Sequence, residues 1–255
     1  LLVIFVLAWV WAWGKLTAVK TLLLVAVALL LSFLLATYWL RRAVDTRVLE
    51  TVPNYERMRW IRTAFPFLLI SGAALIQSKT DILMLGTLSS SEEAGIYGAT
   101  TRVTALISFG LNASNMIVAP LISEYYNEGE RERLQTLIAI ASAGVFAYTV
   151  LAGIFLATTG KWVLGIFGGS FVVGYAPMVI LILGNTVNAL AGPVGYVMTM
   201  TGRQWTASKA FGIGAVINII LNATLVPFFG MVGAAVATAL STTIWNVALA
   251  YAAWK

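Results

Sequence analysis

Apolar runs of helical length dominate the chain, separated by short polar breaks. The first, LLVIFVLAWVWAW, ends at Trp13. It is shorter than the ~20 residues that cross a bilayer, so it reads as the tail of a truncated helix. Gly14 to Lys20 make a short polar turn. Residues 21–40 form a full span, closed by Tyr38 and Trp39, whose rings suit the membrane interface. Residues 41–63 then carry Arg41, Arg42, Asp45, Arg47, Glu50, Glu56, Arg57, Arg59 and Arg62, and Pro53 divides them. They predict a linker with a short helix lying on the membrane. Six further spans are expected at about 65–88, 95–122, 134–158, 177–200, 208–227 and 232–254. Between the third and fourth of these, residues 161–175 are too short and glycine-rich to cross. Their aromatics Trp162, Phe167, Phe171 and Tyr175 are expected to rest at the outer interface.

Composition narrows the class. Of 255 residues, 60% are hydrophobic and only 10% charged, against ~25% charged in an ordinary soluble domain. Aqueous-globular and disordered readings are excluded. The expected fold is all-α, a multi-pass transmembrane helical bundle. The chain has no Cys and no His, which removes disulfides, thiolate chemistry, a Ser-His-Asp triad and His-ligated metal. No GxxxxGK[ST] loop occurs, so no nucleotide-hydrolysing motif is present. No cofactor and no enzymatic activity are expected. The formal charge of +6 reads as basic loops rather than a nucleic-acid surface. Arg41, Arg42, Arg47, Arg57, Arg59, Arg62, Arg131, Arg133, Arg203, Lys209 and Lys255 fall on one side, against Lys15, Lys20 and Lys161 on the other. That asymmetry places residues 41–63 and the C-terminus in the cytoplasm.

Three charges fall inside predicted spans: Lys79 and Asp81 in 65–88, and Arg102 in 95–122. A charge at the bilayer centre costs ~2.5–3.5 kcal/mol even on a lenient scale, so these side chains are expected to face protein or a wet cavity. With the boundaries above, Asp81 and Arg102 lie at matching depths below one turn and are expected to pair or share a polar site. Lys79 sits two residues from Asp81 and so on a different face. If Asp81 neutralises Arg102, one cation remains, and a cavity holding it favours an anionic group such as a phosphate. A structural ion pair with an outward-snorkelling Lys is the alternative.

Amides recur at helical spacing: Asn112 with Asn115, Asn185 with Asn188, and Asn218 with Asn222, while Asn246 sits mid-span. Each pair shares a helix face. Two readings stay open, interhelical hydrogen bonding and the lining of a water-filled cavity that accepts a sugar, since amides both donate and accept. Gly192-Pro193 interrupts span 177–200, either as a hinge or as a static kink.

Several stretches carry a family resemblance. They are DILMLG (81–86), AGIYGATTRV (94–103), APLISEYYNEGERERL (119–134), LGIFGGSFVVGYAPMVILILG (164–184), NALAGPVGYVMTMTGRQ (188–204) and NIILNATLVPFFGMVGAAVATALS (218–241). In order and spacing they resemble the polysaccharide biosynthesis proteins, oligosaccharide flippases of the multidrug/oligosaccharidyl-lipid/polysaccharide exporter superfamily, over about residues 64–255.

The resemblance implies two six-helix lobes around a central cavity, joined by a cytoplasmic linker. Residues 1–40 would then be the last one to two helices of a truncated first lobe, 41–63 the linker, and 64–255 the second lobe. The implied partners are the lipid bilayer, a lipid-linked oligosaccharide and the missing N-terminal lobe. The implied activity is translocation of a polyprenyl-pyrophosphate glycan across a prokaryotic plasma membrane by alternating access. Lys79, Arg102 and Asp81, with Asn112, Asn115, Asn185 and Asn188, are the candidate substrate-binding residues. Asp81 would hold Arg102 or exchange a coupling cation. A drug or cation antiporter of the same superfamily and a membrane-embedded glycan transferase are the rival readings.

Overall fold

A computed structural model describes residues 18–44 and 55–254 of the chain. The expected helix stub at 1–13, most of the turn at 14–20 and the linker core at 45–54 lie outside the described residues. Among those described, every regular element is helical, and six helices are long and apolar enough to cross a membrane. The chain divides into two compact units, Leu1–Glu56 and Arg57–Lys255. The first contributes α1 (Ala18–Ala43), whose large apolar side chains, among them Leu22, Phe33 and Leu34, are exposed along its length. This is the surface a single helix offers to lipid. Its last turn carries Arg41 and Arg42, where cations oppose the negative end of the helix dipole.

The second unit opens with α2 (Arg57–Leu88) and α3 (Ser91–Glu128). Residues 57–63, expected as an interfacial piece of linker, are instead the first turns of α2. Only two residues join α2 to α3. Ser90 caps α3 by accepting the Glu93 backbone N–H at 3.1 Å, and Glu92 and Glu93 occupy the first turn. Both features favour a helix start, so α3 begins four residues earlier than the hydrophobic pattern alone suggested. It ends at Gly129, whose φ of 76° lets the Glu130 N–H return to the Tyr125 carbonyl at 2.9 Å.

Then come α4 (Arg131–Gly165), a 3₁₀ turn (Gly169–Gly174) and α5 (Tyr175–Ala191). The turn region carries the aromatics expected there: Phe167 lies against Phe171 with ring centroids 6.0 Å apart, and the Lys161 ammonium stands 5.1 Å from the Tyr175 ring. The expected span 177–200 is broken rather than kinked. α5 stops at Ala191 and α6 (Val194–Met200) starts after Pro193. Gly192 between them has φ 69°, and a Cβ there would lie 2.1 Å from the Ser142 Oγ of α4. Only glycine meets both demands.

The last element, α7 (Gln204–Trp254), has helical arms either side of Gly230, whose φ of 52° and ψ of −132° are not helical. The arms run antiparallel. Asn218 reaches Ser241 at 3.3 Å, Gly214 packs against Trp245, and a Cβ on Gly233 would meet the Leu225 carbonyl oxygen at 2.5 Å. These pairs are symmetric about Phe229 and Gly230, so the expected pair of spans at 208–227 and 232–254 is a tight hairpin. Small residues close the packing elsewhere too: Gly184 lies against Ala239 of the second arm. In a membrane, where burial of apolar surface gives helices no mutual attraction, such close approach holds a bundle together.

The hairpin turn depends on Gly230. A Cβ there would be strained by φ and would sit 2.5 Å from the Glu93 carboxylate. Gly230→Ala is therefore expected to destabilise the detergent-solubilised protein by about 1–3 kcal/mol, read as a lowered thermal unfolding midpoint. Gly212, with nothing near its absent Cβ, is the control. Gly212→Ala should be neutral or gain up to about 1 kcal/mol. Equal behaviour of the two variants would contradict the strained turn.

Candidate functional site

Asp81 is the acid that the fold buries, at 5% exposure. It projects from α2 into the junction of α3 with both arms of α7. Tyr97 of α3 donates its hydroxyl to Asp81 Oδ2 at 2.8 Å, and Asn222 of the first arm donates Nδ2 to Oδ1 at 2.8 Å. The Thr238 hydroxyl, from the second arm, also donates to Oδ2. Behind them, Asn218 Nδ2 donates to Thr238 Oγ1 at 3.2 Å and to Ser241 Oγ. A carboxylate taken from water needs such donors, and the helical spacings supply them. Asn218 and Asn222 are one turn apart, and Thr238 and Ser241 are three residues apart on the facing arm.

Two acceptors in this cluster are left over. Asn218 Oδ1 and Asn222 Oδ1 are buried with no hydrogen-bond partner. Buried orphan oxygens beside a carboxylate and a hydroxyl form an all-oxygen donor set carrying one negative charge, which is the chemistry of a hard cation. One charge balances a monovalent ion. Among the described residues no group of three or more His, Cys, Asp or Glu side chains exists to hold a transition metal.

The expected pairing of Asp81 with Arg102 does not form. Asp81 is level with Tyr97, not with Arg102, because α3 starts at Ser91. At 1.5 Å per residue Arg102 lies about 7 Å further along α3. It is also turned about 140° from Tyr97 around the helix and is exposed, while Tyr97 is fully buried. Lys79 is likewise exposed, off the Asp81 face of α2. Measured from the Asp81–Tyr97 contact, the two cations lie within about 5 Å of one level on adjoining antiparallel helices.

The amides separate into two groups. Asn185 is engaged structurally, accepting the Ser108 hydroxyl at 2.8 Å and donating to the Leu181 carbonyl. Asn246 joins the arms to α5, donating to Asn188 Oδ1 at 2.9 Å. Asn112, Asn115 and Asn188 instead line a cavity of about 420 Å³ at the α5–α6 break, with Tyr196, Phe211 and Trp245. The asparagines therefore divide between interhelical hydrogen bonds and the lining of a cavity. Tyr97, Thr238 and Ser241 were not anticipated. For Thr238 and Ser241 the signal was the turn at Gly230: polar residues at similar distances from it along the chain meet across the hairpin, as Asn218 meets Thr238 and Ser241.

A bundle of membrane-spanning helices enclosing a buried carboxylate, a polar cavity and exposed mid-helix cations has the build of a membrane transporter. Residues 1–126 match the model of the polysaccharide biosynthesis protein family, bearing out the resemblance read from the sequence and extending it to the N-terminal side of residue 64. The chain is 24% identical over 197 residues to the probable low-salt glycan biosynthesis flippase Agl15 of Haloferax volcanii, covering 76% of this chain and 42% of that protein. It is 31% identical over 173 residues to the probable flippase AglR of the same organism, covering 66% and 36%. The chain thus spans well under half the length of these relatives. Its fold is similar to that of the lipid II flippase MurJ in an inward closed conformation, with a TM-score of 0.72 and 14% identity over all of this chain and 54% of that one. It is also similar to a MOP superfamily transporter from Pyrococcus furiosus, with a TM-score of 0.58 and 17% identity over 75% and 43%. At these identities the likeness is one of fold.

Tyr97→Phe removes one donor from the Asp81 carboxylate and leaves the ring packed among Leu85, Ile96 and Val226. A hydrogen bond to a charged group contributes about 1.5–3 kcal/mol, so a loss of that size is expected in unfolding of the purified protein. Wild-type stability in this variant would contradict a charged, donor-dependent Asp81.

Proposed function

We propose that this chain is part of a flippase that carries a lipid-linked oligosaccharide across a prokaryotic cell membrane by alternating access, coupled to a monovalent cation at Asp81. The observation that carries the reading is the buried carboxylate with two unpaired amide oxygens beside it. Such a site is costly in a structural role and useful in one where an ion enters and leaves. The relatives named as glycan biosynthesis flippases support the class of cargo.

Lys79 and Arg102 serve the anionic part of that cargo. Both are exposed on spanning helices, and an exposed cation facing acyl chains is expensive. The α2–α3 face that bears them therefore fronts an aqueous space. Two cations at nearly one level suit a pyrophosphate, whose charge they share through charge-assisted hydrogen bonds. The Asp81 site also fits the antiporter reading, which differs in its cargo, an organic cation in place of an anionic lipid.

Reconstitution of the protein in vesicles with a fluorescent polyprenyl-pyrophosphate glycan tests the reading. The wild type should move the lipid between leaflets, and the double variant Lys79→Glu, Arg102→Glu should slow it by about tenfold or more. Undiminished movement in the double variant would overturn the assigned role of the cations. Transport of organic cations with no movement of the glycolipid would favour the antiporter.

A further inference from the structure

The cavity at the α5–α6 break has a composition that differs from that of the cationic face. Among the described residues no Lys, Arg, Asp or Glu lines it. Its polar side chains are the amides of Asn112, Asn115 and Asn188 and the hydroxyls of Tyr196 and Thr199, the last donating to the backbone of its own helix. Asn112 and Asn115 lie three residues apart on α3 and hydrogen-bond no protein group among the described residues, and Asn188 spends only its Oδ1, on Asn246. Its wall includes Phe211 and Trp245, whose ring centroids are 4.5 Å apart at 31°, with Tyr196 beside them. The volume of about 420 Å³ lies within the ~300–1,000 Å³ of small-molecule sites.

Two buried donors near the cavity, around Gly214, are unmet. Trp245 Nε1 and Gln77 Nε2 have no acceptor, and both side chains close over Gly214, where an added Cβ would stand 3.1 Å from Gln77 Nε2 and 3.1 Å from Trp245 Cδ1. The buried side-chain atoms without partners among the described residues therefore divide by sign. Acceptors gather at Asp81, and donors lie about one turn further along the same helices, around Gly214. Cation chemistry belongs to the first place, and the uncharged polar lining of the cavity suits an uncharged, oxygen-rich ligand.

We infer that this cavity is a saccharide subsite. It takes one uncharged glycosyl unit, whose hydroxyl or acetamido oxygens meet the Asn112, Asn115 and Asn188 amides, and whose apolar face lies on the aromatic wall. Amides match hydroxyls because each side both donates and accepts, and the absence of a lining cation excludes the pyrophosphate from this place. The inference rests on the flippase reading for its cargo but assigns the sugar and the phosphate to different surfaces. The glycan's headgroup enters the lobe itself, while its phosphates stay on the α2–α3 face. Gln77, one turn from Asp81 on α2, sets this subsite against the cation cluster.

The test is binding of free N-acetylglucosamine and glucose to the purified protein, followed by intrinsic fluorescence and by equilibrium dialysis with labelled sugar. Saturable binding is expected, weakened about tenfold or more by Asn115→Ala and by Asn112→Ala, and several-fold by Trp245→Phe, which shrinks the aromatic wall. Asn112 is exposed, so its variant tests the subsite even if the buried Asn115 change unfolds the protein. Inorganic pyrophosphate should not displace the sugar. Absence of saturable sugar binding in the wild type, binding indifferent to Asn112→Ala and Trp245→Phe, or displacement by pyrophosphate would overturn the inference. A protein that binds sugar in this way yet moves no glycolipid would leave the subsite standing and remove the flippase reading.

Discussion

A carboxylate held away from water dictates the arrangement around it. Asp81 needs hydrogen-bond donors from every side, because a buried charge without them is among the most expensive features a fold can carry. The answer is drawn from four helical segments at once: α2 holds the acid, α3 supplies Tyr97, and the two arms of α7 supply Asn222 and Thr238. These contacts span up to 157 residues of chain, so they fix the register of elements that lipid-phase packing alone orients weakly. The same contacts leave two amide oxygens unused.

The α7 hairpin makes the cluster possible. Pro227 and Gly230 lie at its tip, and the reversal folds the polar positions of the first arm onto those of the second. Small residues let the arms meet at hydrogen-bonding distance: Gly214 under Trp245, and Gly233 against the backbone of the first arm. The Gly192 break plays a comparable part on the opposite side of the lobe, ending α5 against α4 and opening the cavity between α5, α6 and the hairpin. Glycine thus shapes both polar regions, in one by permitting a turn and in the other by permitting a gap.

Much of this was legible in the sequence. Apolar runs located the spans, and the all-helical membrane class followed from composition. Intramembrane charge singled out Asp81, and helical spacing singled out Asn218 and Asn222. What was not legible traces to register. Hydrophobicity placed the start of α3 at about residue 95, after the acids, whereas Ser90 and Glu93 cap a helix that begins at Ser91. That shift of one turn exchanged Tyr97 for Arg102 as the partner of Asp81. Asn185 and Asn188 looked equivalent by spacing, and only the packing of α3 and α7 shows that one is spent on Ser108 and the other faces the cavity. Thr238 and Ser241 gave no signal of their own in an alanine-rich run. They acquire a role only through the hairpin.

The proposed function assigns the exposed cations, the Asp81 cluster and the amide-lined cavity to separate parts of a lipid-linked glycan's transport. Ion coupling requires that the Asp81 cluster take an ion. Equilibrium binding of radioactive sodium to the purified protein, compared with Asp81→Asn, reads this directly. Saturable uptake near one ion per chain, lost in the variant, is the predicted result. No saturable uptake by the wild type, or uptake unchanged by Asp81→Asn, would contradict it.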